Sequence, residues 1–350
     1  MKIAQVAPLI ESVPPKFYGG TERIVSYLTE ELVHQGHHVT LFASGDSVTS
    51  AELHAIVPQA LRLNPAVREP LAYLTLQLEE LRRRADEFDV IHIHGDFLHL
   101  PLARVLGPGN VVTTMHGRLD HPDYPPLFAA FSDLPLVSIS DQQRRPLADC
   151  HWIGTVHHGL PANVCRFNAR ARGDYVAFLG RMSPEKRVDR AIEIARHAGL
   201  KIRIAAKVDV ADRDYFHTQV EPLLSQPHVE YVGEIGERDK SEFLGNARAL
   251  LFPIDWPEPF GLVMIEAMSC GTPCVAWRAG SVPEIIQEGR SGFIVQSVES
   301  AVGALQRAVQ LDRHTVRACF QQRFSVERMT RDYVEIYRRL AVRRAGRVAA

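Results

Sequence analysis

Two glutamates eight residues apart, Glu258 and Glu266, bracket the segment with the densest potential chemistry: Glu258-Pro259-Phe260-Gly261-Leu262-Val263-Met264-Ile265-Glu266. A carboxylate can accept hydrogen bonds from two hydroxyls at once, so such a pair suits recognition of a polyol. The first glutamate falls in a loop after the apolar run Ala249–Phe252. The second falls on the helical pattern Leu262–Met268. Between them, Phe260, Gly261 and Leu262 occupy a helix start, where backbone N–H groups lack intrahelical partners and the helix dipole is positive. That is an anion site suited to a diphosphate, and glycine allows close approach to the backbone. The plainer alternative is a helix N-terminus with an acidic first turn and an unrelated glutamate.

Cations are offered by Gly180-Arg181-Met182-Ser183-Pro184-Glu185-Lys186, after the apolar run Tyr175–Leu179 and at the start of a helical stretch, Pro184–His197, with Pro in its first turn. Arg181 can grip a phosphate bidentately and Lys186 acts as a mobile point charge. The bland alternative is two solvated surface cations. Tyr18-Gly19-Gly20-Thr21-Glu22 follows the first strand by a long loop, and paired glycines at a strand-to-helix junction permit close approach to a phosphate. No Gly-x-Gly-x-x-Gly occurs, so this is no NAD fingerprint, and no Walker A motif occurs, which argues against a P-loop NTPase.

Histidines cluster at strand ends. His92 and His94 sit two apart and share one strand face, as metal ligands could. His116 lies at the end of the following strand, where a lone histidine is more often structural. Ser140, after Leu136–Ile139, is expected to cap a helix. The five cysteines are an odd number without framework spacing, which fits a reducing cytosol. Cys270 and Cys274 have no second Cys/His pair nearby, so small buried residues around a turn are expected there rather than zinc. No metal site is expected.

These groups need a scaffold, and the chain alternates strand and helix patterns throughout. Strands are expected at Ile3–Ala7, His38–Ala43, Val90–His94, Val111–Met115, Leu136–Ile139 and Ile153–Val156, with a helix at Thr21–Gln35 closed by Gly36. The pattern restarts with strands at Tyr175–Leu179, Ile202–Ala206, Val229–Val232, Ala249–Phe252, Cys274–Ala276 and Gly292–Val295. Helices are expected at Asp239–Asn246, Leu262–Met268, Ser300–Gln310 and Val326–Val342. Such β-α-β alternation indicates parallel sheets covered on both faces. At roughly 100–200 residues per domain, 350 residues make two domains. The reading is an α/β fold of two Rossmann-like doubly wound domains, 1–158 and 159–325, facing each other across a cleft, with a terminal helix, 326–350, returning to the first domain.

Composition is that of an ordinary globular protein, with 46% hydrophobic and 23% charged residues. A net charge of −1 gives no sign of nucleic-acid binding. No stretch approaches the roughly 20 apolar residues that span a bilayer, and the N-terminus reads as a strand rather than a signal peptide. A cytoplasmic protein is expected, with peripheral membrane contact left open.

The wording around the two glutamates resembles glycosyltransferase family 4, the group 1 glycosyl transferases, whose GT-B retaining enzymes carry an E-x7-E motif. The continuation Ala267-Met268-Ser269-Cys270-Gly271-Thr272-Pro273-Cys274-Val275-Ala276 and the turn Gly289-Arg290-Ser291-Gly292-Phe293 are also similar to that family. The resemblance covers nearly the whole chain. It implies that Glu258 contacts the donor sugar, Glu266 the ribose hydroxyls, and the amides of Phe260, Gly261 and Leu262 the donor. It implies that Arg181 and Lys186 neutralise the leaving diphosphate, in a stretch where Arg187 replaces the family's usual glycine. Gly19 and Gly20 would face the diphosphate, His116 would reach the donor sugar, and the turn at Gly233 would meet the nucleobase. His94 is an acceptor-side candidate. The donor is thus a nucleotide-diphosphate sugar, UDP-linked by default, used as substrate with no further cofactor. The acceptor, a glycan, a lipid-linked sugar or a small molecule, would be shaped by Leu9–Phe17, His99–Gly109 and Arg118–Phe131. A sugar-nucleotide epimerase, a phosphorylase and a non-catalytic sugar-nucleotide-binding protein are the competing readings.

Overall fold

The computed structural model describes residues 1–16, 19–107 and 109–348. Phe17 and Tyr18, at the end of the loop before Gly19, lie outside the described residues, as does Pro108 within the stretch His99–Gly109. The chain divides into two compact units. One comprises Met1–Gly159 with Val326–Ala350, and the other Leu160–Ser325.

Unit 1 holds seven strands, β1 (Lys2–Val6), β2 (His38–Ser44), β3 (Glu52–Val57), β4 (Val90–Ile93), β5 (Val111–Thr114), β6 (Leu136–Ser138) and β7 (Trp152–Thr155). They pair in the order β3-β2-β1-β4-β5-β6-β7, all parallel. The central strands are buried at nearly every position, as a sheet covered on both faces requires. The helix Gly20–His34 covers one face with Ile24, Val25, Leu28 and Leu32. The terminal helix Val326–Val348 brings Tyr333 and Tyr337, both fully buried, into the same unit.

Unit 2 holds six strands, β8 (Tyr175–Arg181), β9 (Lys201–Lys207), β10 (Val229–Gly233), β11 (Leu250–Phe252), β12 (Cys274–Trp277) and β13 (Gly292–Val295). Their order is β10-β9-β8-β11-β12-β13, again all parallel. Both sheets are therefore wound outward in two directions from their first strand. The order reverses between β1 and β4 in unit 1 and between β8 and β11 in unit 2. In open parallel sheets the loops at the carboxyl ends of the strands beside such a reversal form the ligand crevice. In unit 2 those loops carry Arg181 to Lys186 and Trp256 to Glu258. In unit 1 they include the stretch before Gly19 and the residues around His94.

The expected continuous helix Pro184–His197 is broken. Pro184–Lys186 is a single 3-10 turn, Arg187 follows, and the α-helix runs only over Val188–His197. Arg187 has φ 54° and ψ 51°, and among the described residues it alone is a non-glycine with positive φ. This explains why the resembling family places glycine there. A side chain in the left-handed region costs about 1–2 kcal/mol. Against that, the guanidinium pairs with Asp189 at 2.9 Å and Asp255 at 3.0 Å. These partly exposed pairs contribute about 0–1 kcal/mol each. The terms nearly cancel, so Arg187→Gly is expected to leave the melting temperature within a few degrees of the parent. Arg187→Val keeps the strain and loses the pairs, and is expected to destabilise by about 1–3 kcal/mol. Thermal melts of both variants decide it, and equal losses would show that the ion pairs outweigh the backbone.

Two further expectations change. Ser140 accepts from the Gln143 N–H at 3.0 Å, as a cap would, but turns and the 3-10 segment Arg145–Leu147 follow instead of an α-helix. The stretches His99–Gly109 and Arg118–Phe131 are not simple loops, since they contain the helices Leu100–Leu106 and Tyr124–Ala130.

Candidate functional site

At the reversal point of unit 2, the backbone ties two loops together. The Asp255 N–H donates to the Glu185 carbonyl at 2.8 Å, joining the loop after β11 to the turn after β8. This brings Lys186 onto Glu258: its ammonium donates to Oε2. The Trp256 indole N–H donates to the same oxygen at 2.9 Å. The ammonium also lies 4.8 Å from the Trp256 ring centroid and 5.7 Å from that of Phe252, a cation–π setting. Glu258 is only 9% exposed. A buried carboxylate needs such partners, because an unpaired charge out of water is costly.

The loop carrying Glu258 is clamped from behind. The Ser281 N–H donates to the Glu258 carbonyl at 3.0 Å, and Ser281 Oγ donates to the Phe260 carbonyl at 2.7 Å. Gly280, at φ +51°, packs so tightly that a Cβ there would sit 2.3 Å from both N and O of Glu258. Gly280→Ala therefore adds left-handed strain of about 1–2 kcal/mol and overpacking of about 1–3 kcal/mol. It is expected to displace Glu258 and abolish turnover. Gly289, at φ +69° with nothing within 4 Å of a Cβ, carries the strain alone, so Gly289→Ala should remain active. Equal activity in both variants would contradict the clamp.

Gly261 caps the helix Leu262–Ser269 in the left-handed region, φ +80°. A Cβ there would meet Met264 Cε at 2.7 Å and Phe252 Cζ at 3.2 Å, so no other residue fits this turn without movement. The helix begins with Leu262; the Met264 N–H turns back to the Gly261 carbonyl at 3.0 Å, while Leu262 and Val263 stand at the very start, where N–H groups have no intrahelical acceptors. Glu266 lies one turn on, 3% exposed, and Lys240 donates to its Oε1 at 2.8 Å. Lys240 also pairs with Glu237 at 3.2 Å. Arg181 pairs with Glu185 and lies 3.7 Å from Asp212, whose carboxyl is raised above the usual range by desolvation. Gly233 ends β10 at φ +78°, with open space where a side chain would be.

The remaining candidates lie in unit 1. Gly19 is extended, and a Cβ there would sit 2.7 Å from Pro15 Cβ. Gly20 opens the helix Gly20–His34. His116 follows β5, with its Nε2 2.9 Å from His94 Nδ1 and its ring stacked on His158 at 5.3 Å. Burial pushes the His116 imidazole down to about 3, so the ring is neutral in the physiological range.

Lys186, Glu258 and the turn at Gly261 thus come together with Trp256, while Glu266 has its own cation. Four supporting residues escaped the sequence reading: Trp256, Gly280, Ser281 and Lys240. Trp256 stands two residues before Glu258, and a glycine-serine pair closely follows β12, which are usable signals. Lys240 left none, because it reaches Glu266 from another helix. Among the described residues, no group of three or more His, Cys, Asp or Glu side chains is placed to hold a metal ion. None of the described helices is long and apolar enough to cross a membrane.

A family model for Glycosyl transferases group 1 matches residues 166–319, and one for Glycosyltransferase Family 4 matches residues 18–142. The chain belongs to the group 1 glycosyltransferases. The family-4 resemblance read from the motifs around Glu258 and Glu266 therefore holds, and the molecule is a glycosyltransferase with the GT-B pair of Rossmann-like units. It is similar to the N-acetyl-alpha-D-glucosaminyl L-malate synthase of Bacillus anthracis, 24% identical over 369 residues that span 91% of this chain and 93% of that protein. Among solved structures it is similar to AviGT4, a glycosyltransferase involved in avilamycin A biosynthesis, with a TM-score of 0.74, 25% identity and 98% of each chain covered. The fold also matches Anabaena HepE, solved in complex with UDP-glucose, with a TM-score of 0.69, 18% identity, and 96% of this chain and 99% of that chain covered.

Proposed function

We propose that this glycosyltransferase moves a sugar from a nucleotide-diphosphate donor, UDP-linked by default, to a hydroxyl acceptor, with retention of anomeric configuration and without a metal ion. The observation that carries the reading is the Lys186–Glu258 pair, clamped at the reversal point of unit 2 beside the glycine-capped helix start. The UDP-glucose held by the structurally similar HepE supports a UDP-sugar as donor.

In this reading Glu258 accepts hydrogen bonds from the donor sugar's hydroxyls, and Lys186 is shared between that carboxylate and the diphosphate. The amides of Phe260, Gly261 and Leu262, with Arg181, complete the anion site. Glu266 accepts from the ribose hydroxyls, and the turn at Gly233 meets the base. From unit 1, Gly19 and Gly20 approach the diphosphate and His116 reaches the sugar. The anomeric C–O bond to the diphosphate breaks as the acceptor oxygen forms its bond on the same face. The acceptor proton passes to the departing phosphate oxygen. Glu258 is committed to Lys186 and Trp256, which suits positioning rather than nucleophilic attack. Catalysis then rests on orientation and on stabilising the leaving anion.

Glu266→Ala removes charge-assisted hydrogen bonds to the ribose, about 1.5–3 kcal/mol. Donor affinity is expected to fall about 10- to 100-fold, while Lys240 keeps Glu237 as its partner. Calorimetric titration of the variant with UDP checks this, and unchanged affinity would show that the ribose is held elsewhere. The reaction itself is tested by following donor hydrolysis without acceptor by proton NMR, with and without chelator. The first-formed free sugar is expected to carry the donor's anomeric configuration at the same rate in both. Inversion, a covalent glycosyl adduct or loss of rate with chelator would each overturn the reading.

A further inference from the structure

Unit 1 contains a buried chain of polar side chains that runs from the terminal helix to His116. Tyr337 Oη lies 2.6 Å from His92 Nδ1 and accepts from Gln5 Nε2 at 3.1 Å. Gln5 Oε1 is 2.7 Å from His94 Nε2, and His94 Nδ1 is 2.9 Å from His116 Nε2. A side branch passes from His92 Nε2 to Thr114 Oγ1 at 2.7 Å and on to Tyr333 Oη at 3.1 Å. At the far end, His116 Nδ1 is buried and has no hydrogen-bond partner.

The direction of this chain follows from the capacities of its members. An amide oxygen only accepts, so His94 Nε2 must carry the hydrogen that Gln5 Oε1 receives. Neutral His94 then has its lone pair at Nδ1, and the hydrogen between the two rings belongs to His116 Nε2. His116 is left with a bare acceptor at Nδ1. The opposite direction requires a turned Gln5 amide, and it ends in a buried N–H on His116 with no acceptor. An orphaned donor is the rarer and costlier outcome. The other groups facing the cluster are His158, stacked on His116, with Arg328 close to His158. Burial keeps His92, His94 and His158 well below the usual histidine range, so the rings stay neutral.

We propose that Tyr337, Gln5 and His94 are positioning residues that lock His116 in its Nε2–H tautomer, so that Nδ1 is presented as a hydrogen-bond acceptor for a hydroxyl of the bound sugar. The ligand half of this statement rests on the donor reading above, while the tautomer half does not. His116 then selects for hydroxyl donors and cannot hydrogen-bond to a carbonyl or phosphate oxygen through that nitrogen. The terminal helix, far from β5 in sequence, sets this choice through Tyr337.

Ring-nitrogen NMR of the ¹⁵N-labelled full chain tests it, with the His116 signals assigned by their loss in His116→Gln. The expected result is a protonated, pyrrole-type Nε2 and an unprotonated, pyridine-type Nδ1. Gln5→Leu and Tyr337→Phe, checked for an intact fold by thermal melting, are expected to give mixed tautomers, and Gln5→Leu about a tenfold lower kcat. A pyrrole-type Nδ1 in the parent, or an unmixed Nε2–H tautomer in both folded variants, would overturn the relay. Saturation with UDP-glucose is expected to move the Nδ1 resonance and leave Nε2 in place. The expected tautomer with no Nδ1 response, while calorimetry shows the donor bound, would refute the ligand contact alone.

Discussion

Replacing Lys186 by alanine should lower kcat by roughly 10²–10³-fold, the loss expected when one preorganised group that stabilises a developing anion is removed. The side chain has two tasks, and both fail together. In the proposed donor site it supplies a positive charge to the diphosphate. It also neutralises Glu258, whose carboxylate is 9% exposed and otherwise held by the Trp256 indole N–H. Removing one partner of a buried pair typically costs about 3–5 kcal/mol. Part of that should appear as destabilisation of unit 2, and part as lost turnover. Lys186→Arg keeps the charge but changes its reach and shape, and should recover stability better than turnover. Single-turnover kinetics with thermal melts would separate these effects. Full activity in Lys186→Ala would remove the cation from the mechanism.

The second large effect is on stability at mildly acidic pH. His92, His94, His99, His116 and His158 all belong to unit 1, and burial lowers each, His99 to about 4 and His116 to about 3. In the unfolded chain a histidine titrates near 6.5. Between the folded and unfolded values the unfolded state binds more protons, so the contribution to stability is complete above pH 6.5 and falls as pH drops below it. Each neutral histidine withdraws up to about 1.4 kcal/mol per pH unit in that window. For His99 and His116 together this is about 4 kcal/mol at pH 5, against a typical domain stability of about 5–15 kcal/mol. Asp96 and Glu22, raised by desolvation, act in the opposite sense, but lower, in the carboxylate range. No histidine of unit 2 is among the buried side chains. Unit 1 should therefore lose hydrogen-exchange protection first on going from pH 7.5 to pH 5, once intrinsic exchange rates are corrected. Simultaneous loss in both units would contradict this account.

Much of this was legible in the sequence because the chemistry is contiguous. Glu258 to Glu266 and Gly180 to Lys186 are short segments, and the strands that carry them are apolar runs of recognisable length. Where tertiary structure decides, the sequence is mute. β3 is a partly exposed edge strand in which Glu52 and His54 alternate with Leu53 and Ala55 for only four residues before the adjacent Ile56 and Val57 end the pattern, too short a run to stand out. The helix Arg313–Arg323 is mostly polar, and Arg313 is buried because its guanidinium donates to carbonyls of Asn168, Gly245 and Ala247, which adjoin one another only after folding. The break at Arg187 is invisible to helical periodicity, since only its dihedral angles reveal it. Gly280, Ser281 and Lys240 serve the two glutamates from elements remote in sequence. The hydrogen-bond chain from Tyr337 to His116 draws on β1, β4 and the last helix, and no local pattern links them.

The most direct test of the central claim is calorimetric titration of the purified enzyme with UDP, GDP and ADP, first without metal and then with magnesium. Micromolar binding of one of these nucleotides in the absence of metal, weakened in Lys186→Ala and in Glu266→Ala, is the predicted result. No binding of any of them, or binding that both substitutions leave unchanged, would contradict the donor site assigned to unit 2.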